Sequence, residues 1–341
     1  MKLWRLLYSR TPPIRDASGA PKPGSIAALE RLRIGGIDQT VLLRGHDASA
    51  PVLLFLHGGP GGSAMPLAHL FSSKLEERFV VVNWDQRGAG KSYSPDIPRA
   101  SMTVEQFVQD CVELSEHLCR RFEQKRIFVV GHSWGTELGV LAVQRRPELF
   151  RAYVAVAQVV NKARAERISL QFAIEGARRA NDLARLERLQ KLDPPGYRGR
   201  VRDLLFQRKC VARYGGTFRD PALDKALFRK YFESPEYSWR DLRRLKKGSS
   251  FSLGALWSQR LDVDLLESAP SLALPVFFLH GRCDRVTPTE LVLNYFGRLE
   301  APHKELIWFE HSGHCPLFEE PQRFQEVIID RLLTGTISPV H

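Results

Sequence analysis

The stretch Val129-Val130-Gly131-His132-Ser133-Trp134-Gly135-Thr136 constrains this chain more than any other. A β-branched and apolar run, Arg126 to Val130, precedes it, and a helix-forming run, Glu137 to Gln144, follows it. That order reads as strand, tight turn and helix, with the spacing Gly-x-Ser-x-Gly marking the turn. Glycines two before and two after the serine omit the Cβ atoms that would collide with the neighbouring strand and helix. The turn then holds the serine in a strained backbone conformation that lifts its hydroxyl above the sheet edge. A serine hydroxyl is a poor nucleophile at neutral pH, so it needs an aligned base, and the base needs an orienting acid. Ser133 is the candidate nucleophile.

The flanking sequence repeats the strand-and-helix alternation. Pro51 to Leu56 is a continuous apolar run, expected of a buried central strand, and it leads into His57-Gly58-Gly59-Pro60-Gly61-Gly62-Ser63. Small and rigid residues there leave backbone N–H groups open to a ligand, so the Gly59 N–H and the Trp134 N–H form the expected oxyanion hole. Pro66 to Glu76 reads as a short helix, Phe79 to Trp84 as a strand, and Thr103 to Phe122 as an amphipathic helix opened by a Thr103/Gln106 capping box. Tyr153 to Val156, Pro275 to His280 and Glu305 to Phe309 read as further strands. Helices are expected over Pro288 to Leu299 and Pro321 to Leu333, and a leading hairpin joins Leu29 to Ile34 with Thr40 to Leu43 across Gly35-Gly36. The fold class is therefore α/β, a mostly parallel central sheet with helices on both faces.

Residues 160–265 break the pattern, being helical and rich in Arg and Leu, with interruptions at Pro194-Pro195-Gly196 and Gly215-Gly216. The expected organisation is an exposed N-terminal arm at 1–24, which carries four prolines, and a core from 25–159 and 266–341. A helical cap is inserted at 160–265.

Charge follows the same division. Lys and Arg total 50 against 38 Asp and Glu, a net +12, which raises a polyanionic partner as a question. Residues 160–260 hold 24 basic and 11 acidic residues, so the remainder is close to neutral. The basic residues recur at helical spacing among Leu and Ala, the mark of solvated helix faces, and no nucleic-acid partner is expected. Gly90-Lys91-Ser92 imitates the end of a phosphate-binding loop, but Asp85 stands where that loop needs its first glycine. Arg87 is expected to anchor this turn instead. The five cysteines form no Cys-x-x-Cys pair, and Cys283 and Cys315 read as packing residues. Arg5 and Arg10 interrupt the apolar N-terminus, and no run reaches the roughly 18 apolar residues of a membrane span. A cytoplasmic protein without a membrane partner is expected.

An acid after a later strand and a histidine after the next complete the order Ser…Asp…His. Asp284 follows the strand ending at His280, while Asp262 and Asp264 precede it and are the alternatives. Order limits the base to His303, His311, His314 or His341. His314 is preferred because Gly313 frees the backbone and Pro316 fixes the exit; His311 is the alternative. Such a constellation requires neither metal nor cofactor and acts on a small-molecule substrate.

These motifs resemble the α/β-hydrolase family, and within it the proline iminopeptidase-like branch. The resemblance rests on His57 to Gly62, Trp84 to Ser92, Gly131 to Thr136, Gly281-Arg282-Cys283-Asp284 and Ser312-Gly313-His314. It implies hydrolysis through an acyl-enzyme, with Ser133, Asp284 and His314 as triad and Gly59 and Trp134 as oxyanion donors. Aminopeptidases of the branch carry a Trp-Glu pair in the cap that receives the substrate amine. Here Trp239 precedes Arg240 and Trp257 precedes Ser258. The sequence therefore favours an ester or lactone substrate, a macrolide-type lactone among them. A proline-type aminopeptidase is the alternative, with Glu175, Glu233 and Glu236 as amine acceptors and Trp257 as a further pocket residue. A non-catalytic ligand-binding homologue is the third reading.

Overall fold

Val52–Leu56 (β3), Val80–Asp85 (β4) and Val276–Gly281 (β7) open on large apolar and β-branched residues, and each is buried along its whole length. Strands buried on both faces belong in a parallel sheet covered by helices. A computed structural model describes residues 9–193 and 200–334. Together with Ile26–Ile34 (β1), Ile37–Gly45 (β2), Ile127–His132 (β5), Phe150–Val156 (β6) and Lys304–Phe309 (β8), these strands form one eight-stranded sheet in the order β1-β2-β4-β3-β5-β6-β7-β8. The pairs β1·β2 and β2·β4 are antiparallel and all others are parallel.

Alternation along the strands splits the core into two layers. Leu54, Val129 and Phe278 face the side covered by Val104–Arg121 (α2), Trp134–Arg145 (α3) and Thr289–Arg298 (α10). Leu53, Phe128 and Phe277 face the side covered by Ala68–Phe71 (α1) and Pro321–Ile329 (α12). Between β6 and β7 lie Lys162–Arg179 (α4), Leu183–Gln190 (α5), Val201–Arg213 (α6), Ala222–Tyr231 (α7) and Trp239–Arg260 (α8), with the short Leu265–Ser268 (α9) leading into β7. Pro316–Glu319 (α11) precedes α12. Gly215-Gly216 falls between α6 and α7, whereas Pro194-Pro195-Gly196 lies outside the described residues. No described helix is long and apolar enough to cross a membrane.

Three local expectations are corrected. The segment from Pro66 to Glu76 is not one helix but a 3₁₀ turn at Met65–Leu67, α1, and another 3₁₀ turn at Leu75–Glu77. The Lys74 N–H leaves the ladder to donate to the Gln325 side chain at 2.7 Å. At the start of α2, Thr103 accepts from the Gln106 N–H at 3.1 Å, but the Gln106 side chain turns to Asp110, so the capping box is only half formed. The arm is not wholly exposed: Ile14 is buried, and Pro12 accepts from Arg44.

Candidate active site

Because β3, β5, β7 and β8 run parallel, their carboxyl ends share one edge of the sheet, and the loops that follow them meet there. The loop after β5 is the tightest. Ser133 adopts φ 54° and ψ −117°, a left-handed setting that is costly for a residue with a Cβ. The surroundings hold it there. Its N–H donates to Val156 O at 3.0 Å, and Thr136 Oγ1 donates to its carbonyl at 2.6 Å. A Cβ at Gly135 would sit 2.0 Å from Leu56 O, and one at Gly131 2.4 Å from Gly135 O, so both positions require glycine.

His314, after β8, places Nε2 2.9 Å from Ser133 Oγ and Nδ1 2.9 Å from Asp284 Oδ2. Asp284, after β7, is fully buried and also accepts from the N–H groups of Val286 (2.8 Å) and Thr287 (2.9 Å) and from Thr287 Oγ1 (2.5 Å). Burial alone would raise its pKa. The His314 charge and these hydrogen bonds outweigh burial and hold the carboxyl well below the usual carboxylate range. The Asp284 partners fix the imidazole so that Nδ1–H points at the carboxylate and Nε2 at the serine.

The loop after β3 is tied to the nucleophile helix through Gln86. Gln86 N–H donates to His57 Nε2 at 3.2 Å, its amide nitrogen donates to His57 O at 3.1 Å, and its amide oxygen accepts from Trp134 Nε1 at 2.8 Å. These bonds dictate the His57 tautomer, leaving Nδ1–H to donate to Gly58 O at 2.8 Å. Burial pushes His57 down to about 4, so it stays neutral and structural. Gly59 lies at φ 123°. Among the described residues, no internal hydrogen bond uses the Gly59 or Trp134 N–H.

The helical segment between β6 and β7 closes over the same edge. The chain linking α6 to α7 clasps both later loops: His314 N–H donates to Thr217 O at 2.7 Å, and Arg285 N–H to Gly216 O at 2.9 Å. Glu319 completes the clasp, accepting from the N–H groups of Gly313 (2.8 Å) and Arg219 (2.7 Å). Over Ser133 remains a cavity of about 220 Å³, walled by Gly59, His132, His314, Tyr231 and Phe318. Through Gly62, Ser63 and Tyr231 it adjoins a larger cleft of about 910 Å³.

Ser133, His314 and Asp284 thus form one hydrogen-bonded line, and Gly59 lines the cavity above it. Neither His311 nor Asp264 joins them, and His341 lies outside the described residues. His311 is exposed and faces Arg219, while Asp264 caps α9 and bonds Asn161. Arg87 is buried and holds its turn by bonds to Asp110 and to Gly35 O, and Lys91 pairs with Asp241. None of the four substrate-binding candidates lines either cavity. Glu175 is exposed beside Gln171, and Glu233 pairs with Lys230. Glu236 is buried against Ser234 in a separate cleft with Pro12 and His69. Trp257 packs under Lys162. Glu233 and Glu236 lie in the turn between α7 and α8, and Glu175 and Trp257 on separate helices, so their positions in the sequence gave no common direction. Gln86, Thr287 and Glu319 are structural partners that sequence reasoning missed. Thr287 and Gln86 had a local signal, standing beside Asp284 and inside a quoted motif; Tyr231 and Glu319 had none.

The alpha/beta hydrolase fold model matches residues 51–321. "Probable aminopeptidase YbaC" of Bacillus subtilis is 34% identical over 90% of this chain and 97% of its own length. A proline iminopeptidase of Clostridium botulinum is 23% identical over 81% of this chain and 87% of its own. Among solved structures, a proline iminopeptidase-related protein of Thermus thermophilus superposes with a TM-score of 0.64 at 21% identity, covering 89% of this chain and 96% of that one.

Proposed function

Because the chain belongs to the alpha/beta hydrolase fold family, in its proline iminopeptidase-like branch, we propose that it is a serine hydrolase whose reaction is of the aminopeptidase type, releasing an unblocked N-terminal residue from an amide. The observation that carries the hydrolytic reading is the single line of contacts Ser133 Oγ–His314–Asp284, 2.9 Å at each step. Ser133 Oγ attacks the acyl carbon as His314 Nε2 takes its proton, and Asp284 stabilises the imidazolium that forms. The carbonyl π pair moves onto oxygen, where the Gly59 and Trp134 N–H groups and the amino end of α3 receive the charge. Collapse breaks the C–N bond, and His314 returns the proton to the departing amine. Water then repeats the sequence to free the acid and Ser133. Losing one oxyanion donor costs about 10²–10³ in rate.

The amide reading rests on the relative that is 34% identical over nearly the whole chain, and it displaces the ester or lactone reading to second place. One observation keeps that second reading in play: no Asp or Glu lines either cavity, so no lining carboxylate faces a substrate ammonium. Prolyl and alanyl p-nitroanilides, each with a free and an acetylated amine, separate the two without changing the leaving group. An aminopeptidase should favour the free amine at least tenfold in kcat/KM. Equal turnover of the pair, with p-nitrophenyl acyl esters cleaved well, would give the ester reading first place.

A further inference from the structure

The cleft beside the Ser133 cavity combines two properties that seldom occur together on a solvated surface. One wall is apolar and unburied: Phe228 is 64% and Phe232 37% exposed, far more than burial economy favours for such side chains. Phe228, Phe232 and Trp239 form a ladder with ring centroids 5.2 and 5.5 Å apart, continued along α8 by Leu242 and Leu245. The opposite property is charge. Arg243, Lys246 and Lys247 line the same cleft, no acid lines it, and none of the three forms an ion pair among the described residues.

Some basic side chains of the helical segment are held by buried acids. Lys162 and Arg208 close on the buried Glu166, and Arg260 on the buried Glu137. Arg243, Lys246 and Lys247, without such partners among the described residues, stand instead beside an aromatic trough. The trough also meets the reacting centre, since Gly62, Ser63 and Tyr231 belong to both cavities.

We propose that this cleft binds the part of the substrate distal to the scissile bond, and that this part is an apolar, preferably aromatic, group ending in an anion such as a carboxylate. Combined with the aminopeptidase-type reaction, on which only this sentence rests, the anion is the free carboxyl terminus of a short peptide. Exposed ion pairs contribute little individually, but three cations lining one cleft act together on one anion.

The test uses binding rather than turnover. Ser133→Ala protein is titrated by calorimetry with 4-phenylbutyrate and with the isosteric neutral 4-phenylbutyramide. The carboxylate should bind about tenfold more tightly, and the preference should shrink in 0.5 M NaCl as the rim is screened. Adding R243Q, K246Q and K247Q should bring the ratio close to one while amide binding persists; all three side chains are exposed, and a thermal melt checks the fold. The single K246Q variant serves if the triple variant melts early, and should reduce the preference two- to threefold. Equal binding of the two ligands, or a preference that survives loss of the rim charges, would overturn the proposal. Labelling of the wild type by a fluorophosphonate reports separately on the serine hydrolase reading, so either can fail alone.

Discussion

The two sides of this site are built on different physics. On the sheet side, position is imposed by the backbone: Ser133 sits at φ 54° in a turn packed so closely that Gly131 and Gly135 admit no Cβ. On the helical side, position is imposed by side-chain pairing, and the same residue type does opposite things a few turns apart. Arg260 is buried on Glu137 and over the Trp134 ring, 4.6 Å from its centroid, whereas Arg243 stands exposed at the cleft. Backbone constraint is fixed by few residues and tolerates almost none in exchange. Pairing can be rearranged, and substrate preference can change with it while the chemistry stays.

The largest effect should come from the sheet side. Ser133→Ala and His314→Ala should each lower kcat by on the order of 10⁴-fold or more with little change in melting temperature, since both contribute chemistry and little packing. His311→Ala, which removes only an exposed contact with Arg219, should leave kcat within about twofold of wild type. Steady-state kinetics on whichever substrate is turned over decides it; a severe His311→Ala defect beside a mild His314→Ala would reassign the base.

This contrast also explains what was legible beforehand. The Ser133–His314–Asp284 line and the eight strands were readable because turn glycines, buried strands and loop order are local, chain-ordered signals. The cap residues were not. Glu175, Glu233 and Glu236 were plausible by type, but only packing reveals that Glu233 is satisfied by Lys230 and Glu236 faces another cleft. The +12 charge was legible as a total, yet no count separates Lys162, buried on Glu166, from Lys246, open to the cleft. The Asp85 network was hidden for the same reason. Its partner Tyr237 lies 152 positions away.

An intermediate effect should come from the joint between the two sides. Arg260 Nε and Nη2 donate to one oxygen of Glu137 at 2.9 and 2.8 Å, linking the end of α8 to the nucleophile helix α3. Arg260→Leu strands a buried carboxylate and should cost about 3–5 kcal/mol in chemical denaturation. Removing the charge as well, in Arg260→Leu/Glu137→Gln, should recover at least ~1 kcal/mol, because the uncompensated ion and not the lost contact is the larger penalty. A double variant no more stable than Arg260→Leu would mean that Arg260 acts through packing on Trp134.

The smallest effect should lie under the floor between the two cavities. Asp85 is fully buried and accepts from Ser63 Oγ, Tyr237 OH and the Lys91 N–H. Burial pushes its carboxyl up to about 6, only partly offset by those donors. An unfolded aspartate titrates near 3.9, so between about pH 4 and pH 6 the folded state holds more protons than the unfolded one. The Asp85 contribution to stability is then most favourable below pH 4, falls as pH rises through this window, and is constant above it. Asp85→Asn keeps the shape and removes the ionisation. Its stability relative to wild type should therefore climb by about 1–3 kcal/mol from pH 4 to pH 6.5 and stay level beyond, whatever the offset from altered hydrogen bonds. Paired denaturation curves at half-unit intervals give the difference directly, cancelling every group the two proteins share. A difference that is flat across the window would show that Asp85 ionises normally, with enough compensation from Ser63, Tyr237 and Lys91 to cancel its burial.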